Sequence, residues 1–226
     1  MLQRLWFLAR ARRHILCAIF MPCLLLPLSG CFLLGLAVAK TVGETVHAKY
    51  VPVKTDPILV LVENFQNPGD SSLACEQIAR YVGQNLERKQ VAPLIDPTGI
   101  LDLRARDLEA YRKMTITQIG AALGARQVLY IALLTDSVEM AEASDFRRGE
   151  ATAHVRIIDV KTGQTRWPFD ASEGFPVATK TPVVKVTDDG TEQALRRTVN
   201  QRLGGDIARL FYDYKADEEG EAAFGD

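Results

Sequence analysis

Four closely spaced carboxylates, Asp136, Glu139, Glu142 and Asp145, followed by Arg147 and Arg148, could hold a cation or work as an acid/base pair. Either task requires burial or fixed neighbours to shift a pKa, so a solvated, mobile acidic connection is the simpler expectation. An enzyme with an unorthodox polar site in Asp136 to Arg148 is the alternative. Beyond the N-terminal segment the histidines are His47 and His154, neither with a partner at metal-ligand spacing. His-Glu-x-x-His, paired Cys-x-x-Cys and Gly-x-Ser-x-Gly do not occur. Gly120 and Gly124 do not follow a strand and open a helix as a dinucleotide fingerprint must. No catalytic residue, metal or cofactor is therefore expected.

Cysteine usage points elsewhere. Cys75 lies beside Ala74 and Ile78 in a helical pattern, where a small buried hydrophobe is expected rather than a nucleophile. Cys17, Cys23 and Cys31 all fall in an N-terminal segment that opens with Arg4, Arg10, Arg12 and Arg13 and runs apolar from Ile15 to Leu28. A basic start, an apolar stretch and small residues before a cut form an export signal. The formal charge of the 226 residues is −1, and the signal carries those arginines but no acid, so the remainder is net acidic. That argues against a nucleic-acid partner.

The elements that must position these residues follow from periodicity. Ile58 to Val62 is a continuous aliphatic run suited to a strand covered on both faces. Ala74, Ile78, Val82 and Leu86 mark an amphipathic helix, and Val91 to Ile95 a second strand, giving a βαβ start. Leu101 to Lys113 is weakly helical. Thr115 and Gln118 match a capping box ahead of a short helix ending at Gly124, which leads to a third strand, Val128 to Leu134. From Ala151 to Ile158 the period is two, and Asp159 to Gln164 supplies a turn with glycine at Gly163, so Thr165 to Phe169 should return antiparallel. Ser172 to Thr187, with Gly174, Pro176 and Pro182, reads as a surface excursion. A long helix should start near Asp188 to Thr191 with Leu195, Val199, Leu203, Ile207 and Phe211 as its buried stripe, and Gly204-Gly205 could bend it or allow close packing. The fold class expected is α/β (α+β): a single mixed sheet with a parallel βαβ start, an antiparallel hairpin and packed helices including a long C-terminal one. The domains expected are a signal over 1–30, an anchor and spacer over 31–56, the folded domain over 57–214 and an acidic disordered tail over 215–226.

Leu28-Ser29-Gly30-Cys31 resembles the lipobox of bacterial lipoproteins. The resemblance implies cleavage between Gly30 and Cys31, lipid on the Cys31 thiol, acylation of the new amino terminus, and a domain tethered to the membrane facing the periplasm. Phe32 rather than Asp after the cysteine favours the outer over the inner membrane. A retained transmembrane anchor competes, because Ile15 to Ala39 is apolar enough to cross a ~30 Å hydrocarbon core despite Pro22 and Pro27.

The order of elements resembles the α/β domain shared by the curli-secretion lipoproteins, the lipoprotein activators of penicillin-binding proteins and the N-terminal domain of the Tol-associated β-propeller protein. The resemblance is carried by Ile58 to Phe65, the helix from Ser71 to Lys89, Ile119 to Leu129 and the hairpin from Val155 to Gly163, and covers about Pro57 to Tyr214. The chain has neither the amphipathic membrane-spanning hairpin of the curli pore nor propeller repeats, so pore formation and the Tol role do not carry over. The resemblance implies a non-enzymatic binding or assembly module, and the fold alone does not choose between another envelope protein and further copies of the chain. Because a hairpin at a sheet edge leaves backbone groups to be covered or used, the expected binding region is Asp136, Glu139, Glu142, Asp145, Arg147 and Arg148 together with an exposed edge of the Gly149 to Phe169 hairpin.

Overall fold

The structure, a computed structural model, describes residues 44–69, 72–140, 145–186 and 188–216. The signal, Gly30 with Cys31, Glu142 and the acidic tail from Asp217 onward lie outside the described residues.

The aliphatic run forms strand β2 (Ile58–Asn64), following a short β1 (Thr45–Val46). Helix α1 (Leu73–Arg88) starts where the Ser72 hydroxyl accepts the Cys75 N–H, and α2 (Thr98–Arg106) and α3 (Leu108–Lys113) follow. The capping box of Thr115 and Gln118 opens α4 (Ile116–Ala122). Strands β3 (Gln127–Met140), β4 (Phe146–Asp159), β5 (Thr165–Trp167), β6 (Phe175–Lys180) and β7 (Val184–Lys185) come next. Asp188 caps α5 (Asp189–Arg209), and β8 (Tyr214–Lys215) ends the described chain.

The main sheet is mixed. β2 pairs in parallel with β3 from Ile58↔Gln127 to Asn64↔Leu133, and β3 pairs antiparallel with β4. The far side of β4 is shared by β5, β6 and β7, all antiparallel. One face packs Val60, Ile131, Val155 and their alternates against Ile78 and Val82 of α1 and Val199, Leu203 and Ile207 of α5. On the other face, Leu61, Val128 and Tyr130 meet Ile100, Tyr111 and Ile119 from α2, α3 and α4. β2 is therefore apolar on both faces, as its unbroken run requires. β4 alternates, with Thr152, His154 and Arg156 on its polar face. Cys75 is buried in the first core, and burial pushes its thiol pKa up. Gly204 lets α5 approach α1, because a Cβ there would lie 2.6 Å from Tyr81 Cβ. Gly163, at φ +72°, supplies the left-handed turn position between β4 and β5.

Four expectations are corrected. The spacer is ordered from Thr45: β1 pairs with β8, the Lys49 and Tyr50 N–H groups both donate to Leu210 O, and buried Gln127 donates from Nε2 to Val53 O and Asp56 O. These are bonds between backbone and distant groups, which leave no sequence period, and Lys215 belongs to this ladder rather than to the tail. The second strand shrinks to one parallel bridge, Ile58↔Leu94, because Pro93 and Pro97 interrupt the segment. The excursion of Ser172 to Thr187 contains β6 and β7. Of the stretch expected as a mobile connection, residues 136–140 are the end of β3 and residues 146–148 the start of β4, paired antiparallel.

Candidate functional site

β3 and β4 outrun β2. The lane of β2 ends where the Phe65 N–H donates to Leu133 O at 2.9 Å, and there the β3–β4 register shifts from Leu133↔Ala153 to Thr135↔Thr152, leaving Leu134 as an extra residue. Such a bulge reverses which backbone groups face which neighbour. The Thr181 N–H donates to Gly149 O, so the odd-numbered residues of β4 here bond toward β6, and Glu150 and Thr152 bond toward β3. Their partners Ser137 and Thr135 are turned to β4 in consequence. The N–H and C=O groups of Asp136, Val138 and Met140 then face the lane that β2 has vacated. Among the described residues, nothing pairs with them.

The candidate side chains are distributed over this ribbon rather than gathered. Asp136 lies opposite Ala151 on the α5 face, half-buried; burial raises its carboxyl pKa and nearby Arg196 pulls it back. Glu139 lies on the opposite face, across from Arg148, and accepts the Ser137 hydroxyl at 3.0 Å. Glu142 is outside the described residues. Asp145 immediately precedes β4, where its carbonyl accepts the Val186 N–H, and Arg147 lies opposite Met140. Asp136 and Glu139 thus do not form an acid/base pair. Among the described residues no cluster of three His, Cys, Asp or Glu could hold a metal ion. The ribbon end is apolar in part: Met140 is 68% exposed, and Phe146 and Val183 are exposed as well.

Of the Gly149 to Phe169 hairpin, β4 is paired on both sides, with β5 beside its end and β6 beside its first half, so β6 forms the outer edge there. By the same alternation, Phe175, Val177 and Thr179 bond to β4, so the C=O of Pro176 and both backbone groups of Ala178 face outward with the N–H of Lys180. Pro176 fits here because its missing N–H would point off the sheet. Beside this edge runs a groove of about 310 Å³ between β6, the β1–β8 ladder and the end of α5, with Phe175, Val177 and Leu210 among its apolar lining. Its rim includes His47, Lys49 and the Asp206–Arg209 pair.

Sequence reasoning missed a second polar group. Glu63, at the end of the aliphatic run, is buried and hydrogen-bonded to the Tyr130 hydroxyl and the Gly69 N–H; burial raises its pKa against the pull of Arg104. Tyr130 is pushed up to about 12, first by burial and then by Glu63. Arg104 lies 4.9 Å over the Tyr111 ring and Arg156 lies 5.2 Å over Tyr130. The group ties the loop after β2 to β3 and α2. An acid at a strand end was its one sequence signal.

No family model and no curated protein matches this chain. Solved structures similar to it include lipoprotein GNA1162 from Neisseria meningitidis, at 11% identity over 66% of this chain and 99% of that one, with a TM-score of 0.41. The PelC dodecamer from Paraburkholderia phytofirmans is 14% identical over 75% and 98%, at 0.42. Protein CT253 from Chlamydia trachomatis is 12% identical over 68% and 98%, at 0.36.

Proposed function

We propose that this chain is a lipid-anchored, non-enzymatic binding and assembly module of the bacterial cell envelope. Cys31 carries the lipid, the outer membrane is the favoured site on the residue after it, and the domain faces the periplasm. The observation that carries the binding role is the outward-facing backbone of Asp136, Val138 and Met140 on a ribbon that projects past β2. Unpaired strand edges must be covered, blunted or used, and pairing with a protein strand uses them. The anchor rests on Leu28-Ser29-Gly30-Cys31.

Two measurements on the full chain in bacterial cells test this. Cys31→Ala should abolish incorporation of a fatty-acid analogue, and undiminished labelling would remove the anchor. A photo-crosslinking residue at Val138 should capture a protein, and the capture should vanish in a chain that also carries Met140→Pro. Capture that survives this change would place the interface elsewhere.

A further inference from the structure

Resting on that reading of the ribbon as a strand-adding edge, we propose that its partner is a second copy of this chain, joined through β6. β3 is antiparallel to β4, and β4 is antiparallel to β6, so β3 and β6 run in the same direction on opposite sides of one sheet. A neighbouring copy related mainly by translation therefore brings its β6 into the lane vacated by β2, as a parallel strand.

The groups match in that lane. In a parallel pair, an outward-facing residue bonds to the two residues that flank the one opposite it. Setting Lys180 opposite Glu139 of the next copy puts Ala178 opposite Ser137 and Pro176 opposite Thr135. The Lys180 N–H then meets the Val138 C=O, the Ala178 N–H meets the Asp136 C=O, and the Ala178 C=O meets the Val138 N–H. The missing N–H of Pro176 falls against Leu134, the bulge residue, where the ladder is already interrupted. A register two residues toward the start of β3 is less favourable, because it sets the Ala178 N–H against Leu134, the bulge residue, and brings Pro176 opposite Leu133, where Phe65 already occupies the lane.

Side chains agree with this register. Within one copy Lys180 Nζ is 2.8 Å from Glu150 Oε1, and Glu139 lies across from Arg148. Joined, the row across both copies on the polar face reads Glu150, Lys180, Glu139, Arg148, alternating in sign, and opposite-charge neighbours across strands are favourable. On the other face, Asp136, Val138 and Met140 come to lie along the groove side of β6. The two edges differ, so the association is head to tail. It closes into a ring only if the rotation per copy allows.

The test uses the full chain in bacterial membranes, with Ser137→Cys and Ala178→Cys, whose side chains share the polar face. Residues opposite one another on adjacent strands lie ~5 Å apart, within disulfide reach. With diamide, the double variant should give a ladder of dimers and higher species. Each single variant alone should give only the background of the parent chain, and co-expressed singles only dimers. Adding Val138→Pro to the double variant should reduce the ladder about tenfold. A dimer from Ser137→Cys alone, meaning that two ribbons pair with each other, would overturn the assignment of β6. No ladder while a photo-crosslinker at Val138 still captures a different protein would overturn the second copy but leave the binding edge standing. No capture at Val138 by either route would overturn both.

Discussion

The Phe65 N–H donates to Leu133 O at 2.9 Å, and among the described residues this is the last backbone bond in the lane of β2. Beyond it β3 and β4 continue, with β6 and β7 on the far side of β4, while among the described residues nothing pairs with the outer edge of β3; the residue at which the bulge occurs decides which groups that edge presents. Everything inferred about binding follows from that alternation.

Proline substitution reads the alternation directly. Val138→Pro removes an N–H that bonds to nothing among the described residues, whereas Ser137→Pro removes one directed at Glu150. Ser137→Pro should cost about 2–3 kcal/mol more in a urea denaturation series. Equal losses would mean that the parity is misassigned.

The two glycines of α5 should respond oppositely to alanine. Gly204→Ala drives a Cβ to 2.6 Å from Tyr81 Cβ and should cost about 1–3 kcal/mol. Gly205 has nothing within 4 Å, so Gly205→Ala should be neutral or stabilise by up to about 1 kcal/mol. Thermal melts of both variants check this.

Much of the fold was legible where one strong local signal acted alone. The unbroken Ile58 to Val62 run announced a strand buried on both faces, Thr115 with Gln118 announced a helix start, and the four-residue spacing from Leu195 to Phe211 announced the buried stripe of α5. Asp159 to Gly163 announced its turn. The ribbon was not legible, because Thr135, Ser137 and Glu139 alternate with Asp136, Val138 and Met140, and neither face has an apolar period. Pairing with β4 makes it a strand. Gly174, Pro176 and Pro182 concealed β6 in the same way, since an edge strand tolerates the residues that punctuate loops. The stretch from Asp136 to Arg148 was legible as one run of polar residues, but how its described residues divide between the two faces depends on a bulge that spacing cannot show.

The residues before Ile58 should contribute to stability. A fragment of residues 55–214 loses the β1–β8 ladder and leaves Gln127, 0% exposed, without its bond to Val53 O. It should be about 1–3 kcal/mol less stable than residues 45–216 in denaturant. Equal midpoints would return this segment to the role of a spacer.

Acid should selectively weaken the β4–β5 turn. Asp159 is held at about 2, first by the Thr162 N–H and then by Arg166, which also contacts Asp56. The folded value lies below the ~3.9 of an unfolded chain, so the folded state binds fewer protons. This contribution is present above about pH 4 and is lost as pH falls toward about 2. Asp159→Asn should therefore be less stable than the parent at about pH 6 and match it near pH 2. A constant difference across that window would separate the loss from the charge of Asp159.

Residue-resolved amide hydrogen exchange on the full chain, first dispersed as single copies in detergent and then in its native membrane, tests the binding edge most directly. In detergent, the N–H groups of Asp136, Val138 and Met140 should exchange fast while those of Thr135, Ser137 and Glu139 are protected, and in the membrane all six should be protected. Asp136, Val138 and Met140 exchanging equally fast in both states would contradict the use of this edge in binding.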